Sequence, residues 1–198
     1  GSPFFYWPLG ARSINYRWET PGMAEGQQPG TQVYRYLYLQ ANPAVWWSAF
    51  AAVILSLSML VGSVLFPPAR PLKNRPLLAI FTGMYVAYML AVSQIDRVMY
   101  LYHYFMPLLF SFIVVALVFE ELQVMGKRTL TENAKMTGLL CLSALIFFSF
   151  QIYRPFSYYE PLRDDQVQRR SIFPLWELKC VNCPQKSPLV VPNKKPGE

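Results

Sequence analysis

Four long stretches of this chain carry no charge: Pro43 to Phe66, Pro76 to Ile95, Val98 to Phe119 and Met136 to Tyr153 contain no Asp, Glu, Lys or Arg. Each is close to the roughly 20 residues that a helix needs to cross a hydrocarbon core about 30 Å thick. All 18 Lys and Arg and all 11 Asp and Glu of the 198 residues fall elsewhere. Charged residues make up 15% of the chain, against about 25% in an average soluble domain, so the deficit is local. The expected fold is an all-α membrane protein with four transmembrane helices, an exterior aromatic N-terminal segment and an exterior C-terminal tail. Its expected divisions are 1–42, a transmembrane domain 43–153 (43–66, 76–95, 98–119 and 136–153) and 154–198. A soluble enzyme, a nucleic-acid-binding domain and a disordered tail are excluded, and membrane lipids are the first partner.

The net charge of +7 is scattered over loops and both tails, so it reads first as topology. Arg70, Lys73 and Arg75 lie between spans one and two, and Lys127, Arg128 and Lys135 between spans three and four. The positive-inside rule makes both connections cytoplasmic and puts the short link at Asp96 and Arg97 on the far side, with both termini. The Trp residues agree, since all five avoid the middle of a span. Trp7, Trp46 and Trp47 are expected as anchors at the outer interface, where an indole finds both apolar contact and a polar partner. The chain opens Gly1-Ser2-Pro3 with neither an initiator Met nor a signal peptide, so earlier spans are expected to deliver the leading segment; the alternative is a cloning remnant on a complete subunit.

Pro21-Gly22 and Pro29-Gly30 make the leading segment an interface-lying loop, with an extended piece where Tyr34, Tyr36 and Tyr38 alternate with other residues. Asn42-Pro43 is a good helix start and Pro67-Pro68 a good stop. Pro107 cannot donate to the His103 carbonyl, which predicts a free carbonyl and a kink in the third span. The apolar patch Ile172 to Trp176 is expected along the membrane surface.

The polar concentration lies at the outer junction of spans two and three: Gln94, Asp96, Arg97, Tyr100, Tyr102, His103 and Tyr104. On a continuous helix Arg97, Tyr100 and Tyr104 share one face, and Asp96, Tyr100, His103 and Pro107 the adjoining one. The functional reading is a headgroup site with Arg97 as its anion contact, because a guanidinium binds phosphate oxygens through two parallel hydrogen bonds. The structural readings stand beside it: Asp96 as a helix cap, Arg97 snorkelling to headgroups and His103 as a hydrogen-bonded packing residue. One His without Cys or acid partners makes no metal site. Cys180 and Cys183 form a CxxC followed by Pro184, which reads as a local disulfide rather than a haem attachment or a zinc site.

Three blocks, Ser2 to Leu9, Tyr36 to Trp47 and Asp96 to Tyr104, resemble in order and spacing the C-terminal four-span region of the protein O-mannosyltransferase family. The Asn-Pro-x-x-Trp-Trp block at residues 42–47 is the most specific. The resemblance covers roughly residues 2 to 153, and the Cys-containing tail looks unlike the family. It implies a multi-span glycosyltransferase that takes mannose from polyprenyl-phosphate-mannose and transfers it, with inversion, to Ser or Thr hydroxyls outside the cytoplasm.

By the same resemblance the acidic catalytic residue lies in a first external loop with no counterpart here. The chain is then expected to bind no cofactor and to form part of the groove for carrier and acceptor. Arg97, Tyr100, His103, Tyr104 and Asp96 would line the lipid-phosphate pocket, with the polyprenyl-phosphate carrier and a catalytic half or other membrane subunits as partners. The competing expectation is a non-catalytic four-helix scaffold subunit of a larger membrane complex, derived from that family.

Overall fold

The computed structural model describes residues 2–19, 33–66, 71–122, 124–125 and 128–178. Pro21-Gly22, Pro29-Gly30, Pro67-Pro68, Arg70, Lys127, Cys180 and Cys183 lie outside the described residues.

Among the described residues, four helical segments are long and apolar enough to cross a membrane. They are α1 (Pro43–Leu65), α2 (Arg75–Ser93), the segment Leu101–Glu121 made of a 3-10 turn and α3 (Phe105–Glu121), and α4 (Glu132–Ser157). Asn42 caps α1, its side chain accepting from the Ala44 and Val45 amides at 3.1 and 3.3 Å, while Pro43 fills the first helical position, where no donor is needed. The Asn42 side-chain amide also donates to the Ile146 carbonyl at 3.1 Å, tying the start of α1 to the middle of α4. Helices α1, α2 and α3 form the packed bundle, around Ala49, Val53, Leu78, Tyr85, Leu108, Val114 and Val118. Ser56 and Thr82 share a buried hydrogen bond of 2.5 Å between α1 and α2, the kind of hydroxyl contact that joins helices where lipid offers no polar partner.

The third span does not begin as a helix at Val98. Residues 98–100 are not helical, Tyr100 being extended; Leu101–Tyr104 make a 3-10 turn, and α3 proper starts at Phe105. The cause is long-range: the Ser2 amide donates to the Met99 carbonyl at 2.8 Å, so the leading segment takes up a backbone group of the link between the spans. Pro107 therefore sits in the first turn of α3, where its missing N–H costs nothing. The His103 carbonyl it cannot reach accepts from the Tyr88 hydroxyl of α2 at 3.0 Å, so that carbonyl is not free. The fourth helix also runs beyond Tyr153, through Pro155 to Ser157.

A three-stranded antiparallel sheet, ordered β1 (Ile14–Glu19), β2 (Val33–Leu39) and β5 (Pro161–Arg163), covers one end of the bundle. A two-residue ribbon, β3 (Val124–Met125) and β4 (Arg128–Thr129), precedes α4, and a short helix α5 (Asp164–Arg170) follows β5. Alternation along β2 buries Tyr34, Tyr36 and Tyr38 on one face, against Phe156 and Tyr153 of α4, Leu162, Val167 and Trp176. The apolar patch at 172–176 is thus only partly a surface feature: Ile172 is exposed, but Trp176 is buried and donates to the Leu9 carbonyl at 3.2 Å.

These contacts gather residues 2–19, 33–42, the α2–α3 link and the described part of the tail at one end. The opposite end is closed by Glu121, which accepts from the Lys73 and Asn74 amides at 3.1 and 2.6 Å, and by Glu120, which pairs with Lys73. The hydrogen bond to Glu120 raises the Lys73 pKa above its ordinary value.

Candidate functional site

The α2–α3 link begins where α2 ends at Ser93, turns at Gln94, bends at Arg97 and is without helix up to Tyr100. Ile95, Asp96, Arg97, Val98 and Met99 of this link line an open cleft of about 710 Å³ together with Ser2, Pro3 and Arg12 of the leading segment. A second cleft of about 300 Å³ adjoins it, lined by Ser2, Arg12, Ser13, Ile14, Tyr100 and Glu177. Asp96 and Arg97 are exposed, and among the described residues neither forms an ion pair or a side-chain hydrogen bond. Asp96 accordingly caps no helix. Arg12 pairs with Glu177 at 3.2 Å, both side chains about half exposed.

The polar residues read from the sequence are not on one helical wall, because residues 96–100 are not helical. Asp96 and Arg97 line the larger cleft and Tyr100 the smaller. His103 is sandwiched between the rings of Tyr102 (centroids 4.2 Å apart) and Trp7 (6.1 Å), and its Nδ1 lies 3.0 Å from the Tyr100 carbonyl. Tyr104 is fully buried in the bundle, its hydroxyl 3.0 Å from that of Tyr85. His103 and Tyr104 line neither cleft.

The three tryptophans expected at the outer interface differ in burial. Trp7 is fully buried: its indole donates to Ser2 Oγ at 2.8 Å, and its carbonyl accepts from the Trp46 indole at 3.1 Å. Trp46 is 8% exposed. Both rings fasten the leading segment to α1 and find their polar partners in protein. Trp47 is 38% exposed and keeps an indole contact of 3.4 Å to the Leu9 carbonyl.

Arg12 and Ser2 are the site residues that sequence reasoning missed. They stand more than 80 positions from Arg97, and no local pattern announces that they share a cleft; the one available signal was the aromatic block Ser2 to Leu9, which holds Ser2 and ends three residues before Arg12. Among the described residues no three His, Cys, Asp or Glu gather into a metal-binding group. What the cleft offers is two guanidinium groups and one carboxylate beside an apolar bundle, a setting for an anion attached to something greasy.

A family model described as the C-terminal four TMM region of protein-O-mannosyltransferase matches residues 1–176. The match runs past Tyr153 to Trp176, so the first part of the tail is within the family pattern, contrary to the expectation that the tail departs from it. Among solved structures, the chain is similar to one from S. cerevisiae, the protein O-mannosyltransferase Pmt1-Pmt2 complex bound to the sugar donor. That likeness has a TM-score of 0.60 and 19% identity, and covers 92% of this chain and 24% of the yeast chain. This chain thus spans about a quarter of the length of that relative. No curated protein matches it.

Proposed function

This chain belongs to the protein-O-mannosyltransferase family, as its C-terminal four-transmembrane region, and from that premise we propose that its cleft receives the phosphodiester of a polyprenyl-phosphate sugar. It is an integral membrane protein with four spanning helices. In the proposal, the end bearing the α2–α3 link, the leading segment and the tail faces the exterior compartment, where a carrier's phosphate would lie at headgroup depth. The observation that carries the reading is Arg97, an exposed guanidinium with no ion-pair partner among the described residues, lining an open cleft at the end of two membrane helices.

Each neighbouring residue has a task in this reading. Arg97 binds two phosphate oxygens through parallel N–H groups, which a point-charge lysine would not orient equally well. Tyr100, exposed on the adjoining wall, offers a hydroxyl and a ring face to the sugar side. His103 and Tyr104 set the backbone that presents Arg97 and Tyr100: the His103 ring is fixed by two stacked neighbours, and Tyr104 plugs the bundle beneath it. Asp96 offsets the charge of Arg97 when no ligand is present. The chain forms part of the carrier and acceptor groove, the proton-accepting carboxylate coming from another part of the full protein. The full protein transfers mannose from polyprenyl-phosphate-mannose to a protein hydroxyl, alongside other membrane subunits.

The test is transfer by the full-length protein with the donor titrated. Losing a charge-assisted hydrogen bond of about 1.5–3 kcal/mol predicts that Arg97→Ala raises the donor KM about tenfold or more. A donor KM unchanged in Arg97→Ala would remove the phosphate from this cleft. Carrier-independent purification with unrelated membrane subunits, and no transfer, would favour a scaffold instead.

A further inference from the structure

The larger cleft is lined by a second arginine, Arg12 of the leading segment. We infer that Arg12 is a second anion-binding residue, paired with Glu177 in this structure, and that the two guanidinium groups bind one phosphodiester together. This rests on the reading of the cleft as a phosphodiester site and adds a residue and a mode of occupancy to it.

Three features support it. Arg12 lines both clefts, the larger together with Asp96 and Arg97 and the smaller together with Glu177. Its ion pair with Glu177 is not what holds the tail in place. The Arg12 and Ser13 amides donate to the Leu175 and Trp176 carbonyls, both at 3.0 Å, and the Trp176 indole bonds to Leu9. Those contacts use no Arg12 side-chain atom, and an ion pair 47% and 45% exposed adds little to them. Finally, Arg12 and Glu177 face each other from left-handed backbone, φ +58° and +52°, a region that residues with side chains rarely adopt and that is retained where the surrounding structure fixes it.

The charges explain the arrangement. Two arginines, Arg12 and Arg97, and two carboxylates, Asp96 and Glu177, line the two clefts. Carboxylate and phosphate present the same paired oxygens to a guanidinium, so Glu177 occupies Arg12 much as a ligand phosphate would. An entering phosphodiester competes with Glu177 for Arg12, and the cleft gains its second cationic contact only when the anion is present. The Ser2 hydroxyl, on both clefts, already accepts from Trp7 and stays on the leading-segment wall.

The experiment measures polyprenyl-phosphate-mannose binding to the full-length protein in nanodiscs of phosphatidylcholine, with phosphatidylglycerol nanodiscs as the competing arm. Arg12→Ala is expected to weaken binding about tenfold, and Glu177→Gln, which removes the competing carboxylate, to tighten it about two- to fivefold. A role limited to clamping the tail predicts instead that both substitutions, which break the same ion pair, shift affinity alike. If Arg12→Ala does not fold, Glu177→Gln decides alone, because weakening there overturns the proposal. Weakening by Arg97→Ala with Arg12→Ala unchanged sinks this inference and leaves the phosphodiester reading standing; if neither matters, the reading itself fails. Competition by phosphatidylglycerol supports the two-arginine site and assigns it to ordinary anionic headgroups, whereas competition by polyprenyl phosphate alone assigns it to the carrier.

Discussion

Helices α3 and α4 are both apolar enough to span a bilayer, yet they are held in different ways. In α3 the buried residues Pro107, Leu108, Ser111, Val114 and Val118 recur every three or four positions along the whole helix, against α1 and α2. In α4 they are Ser149, Tyr153, Pro155 and Phe156, all near the C-terminal end, where the helix leaves the bundle and meets the sheet. Of the residues in the apolar stretch, 39% are buried in the third span and 11% in the fourth. One helix belongs to a core; the other is tethered by its end and by Asn42, its remaining apolar surface open to lipid or to further protein.

The comparison can be broken most sharply at α4. Phe156→Ala removes a fully buried ring from the end that holds the helix and should cost about 3–5 kcal/mol, whereas Phe148→Ala, 64% exposed, should cost less than about 0.5 kcal/mol. Reversible unfolding in mixed micelles measures both, and equal losses would show α4 packed along its length. The clamp joining sheet and bundle is probed by Gly10→Ala. A Cβ there would stand 2.5 Å from that of Ala41 at φ +71°, so a loss of about 2 kcal/mol or more is expected in the same assay.

Smaller effects sharpen the picture of α3. Tyr104→Phe keeps the ring but deletes the hydroxyl paired with Tyr85, for a loss of about 0.5–1.5 kcal/mol; no loss would mean that the ring alone plugs the bundle. Thr82→Val should cost about 0.6 kcal/mol, the average for an interhelical hydrogen bond in a membrane, and a double cycle with Ser56→Ala would isolate it. Smallest is the opposite end. Because Lys73 has a raised pKa, its pairing with Glu120 contributes below the ordinary lysine range and is lost as pH rises through the raised value. Unfolding followed upward in pH should show that decline in the native chain and not in Lys73→Gln.

The four spans were legible because missing charge over about 20 residues is a local, one-dimensional signal. The Asn42-Pro43 start of α1 was equally local, and the alternating tyrosines at 34–38 do form a strand. The start of α3 was not legible: Val98 to Tyr100 has no Gly or Pro to interrupt a helix, and what keeps it out of a helix is the Ser2 amide, almost a hundred residues away. The partners of the tryptophans were not legible for a related reason. Composition shows that an indole needs an apolar bed and an acceptor, but not whether lipid headgroups or protein supply them; for Trp7 and Trp46 the protein does. At the site, Asp96 and Arg97 stood out as charges beside a span, while Arg12 became visible only once the leading segment was folded across the link.

The most direct measurement is a structure of the full-length protein with polyprenyl-phosphate-mannose bound. The account predicts the phosphate within hydrogen-bond distance of the Arg97 guanidinium, between the link and the leading segment. A phosphate seated away from that cleft, with Arg97 still exposed to solvent, would contradict it.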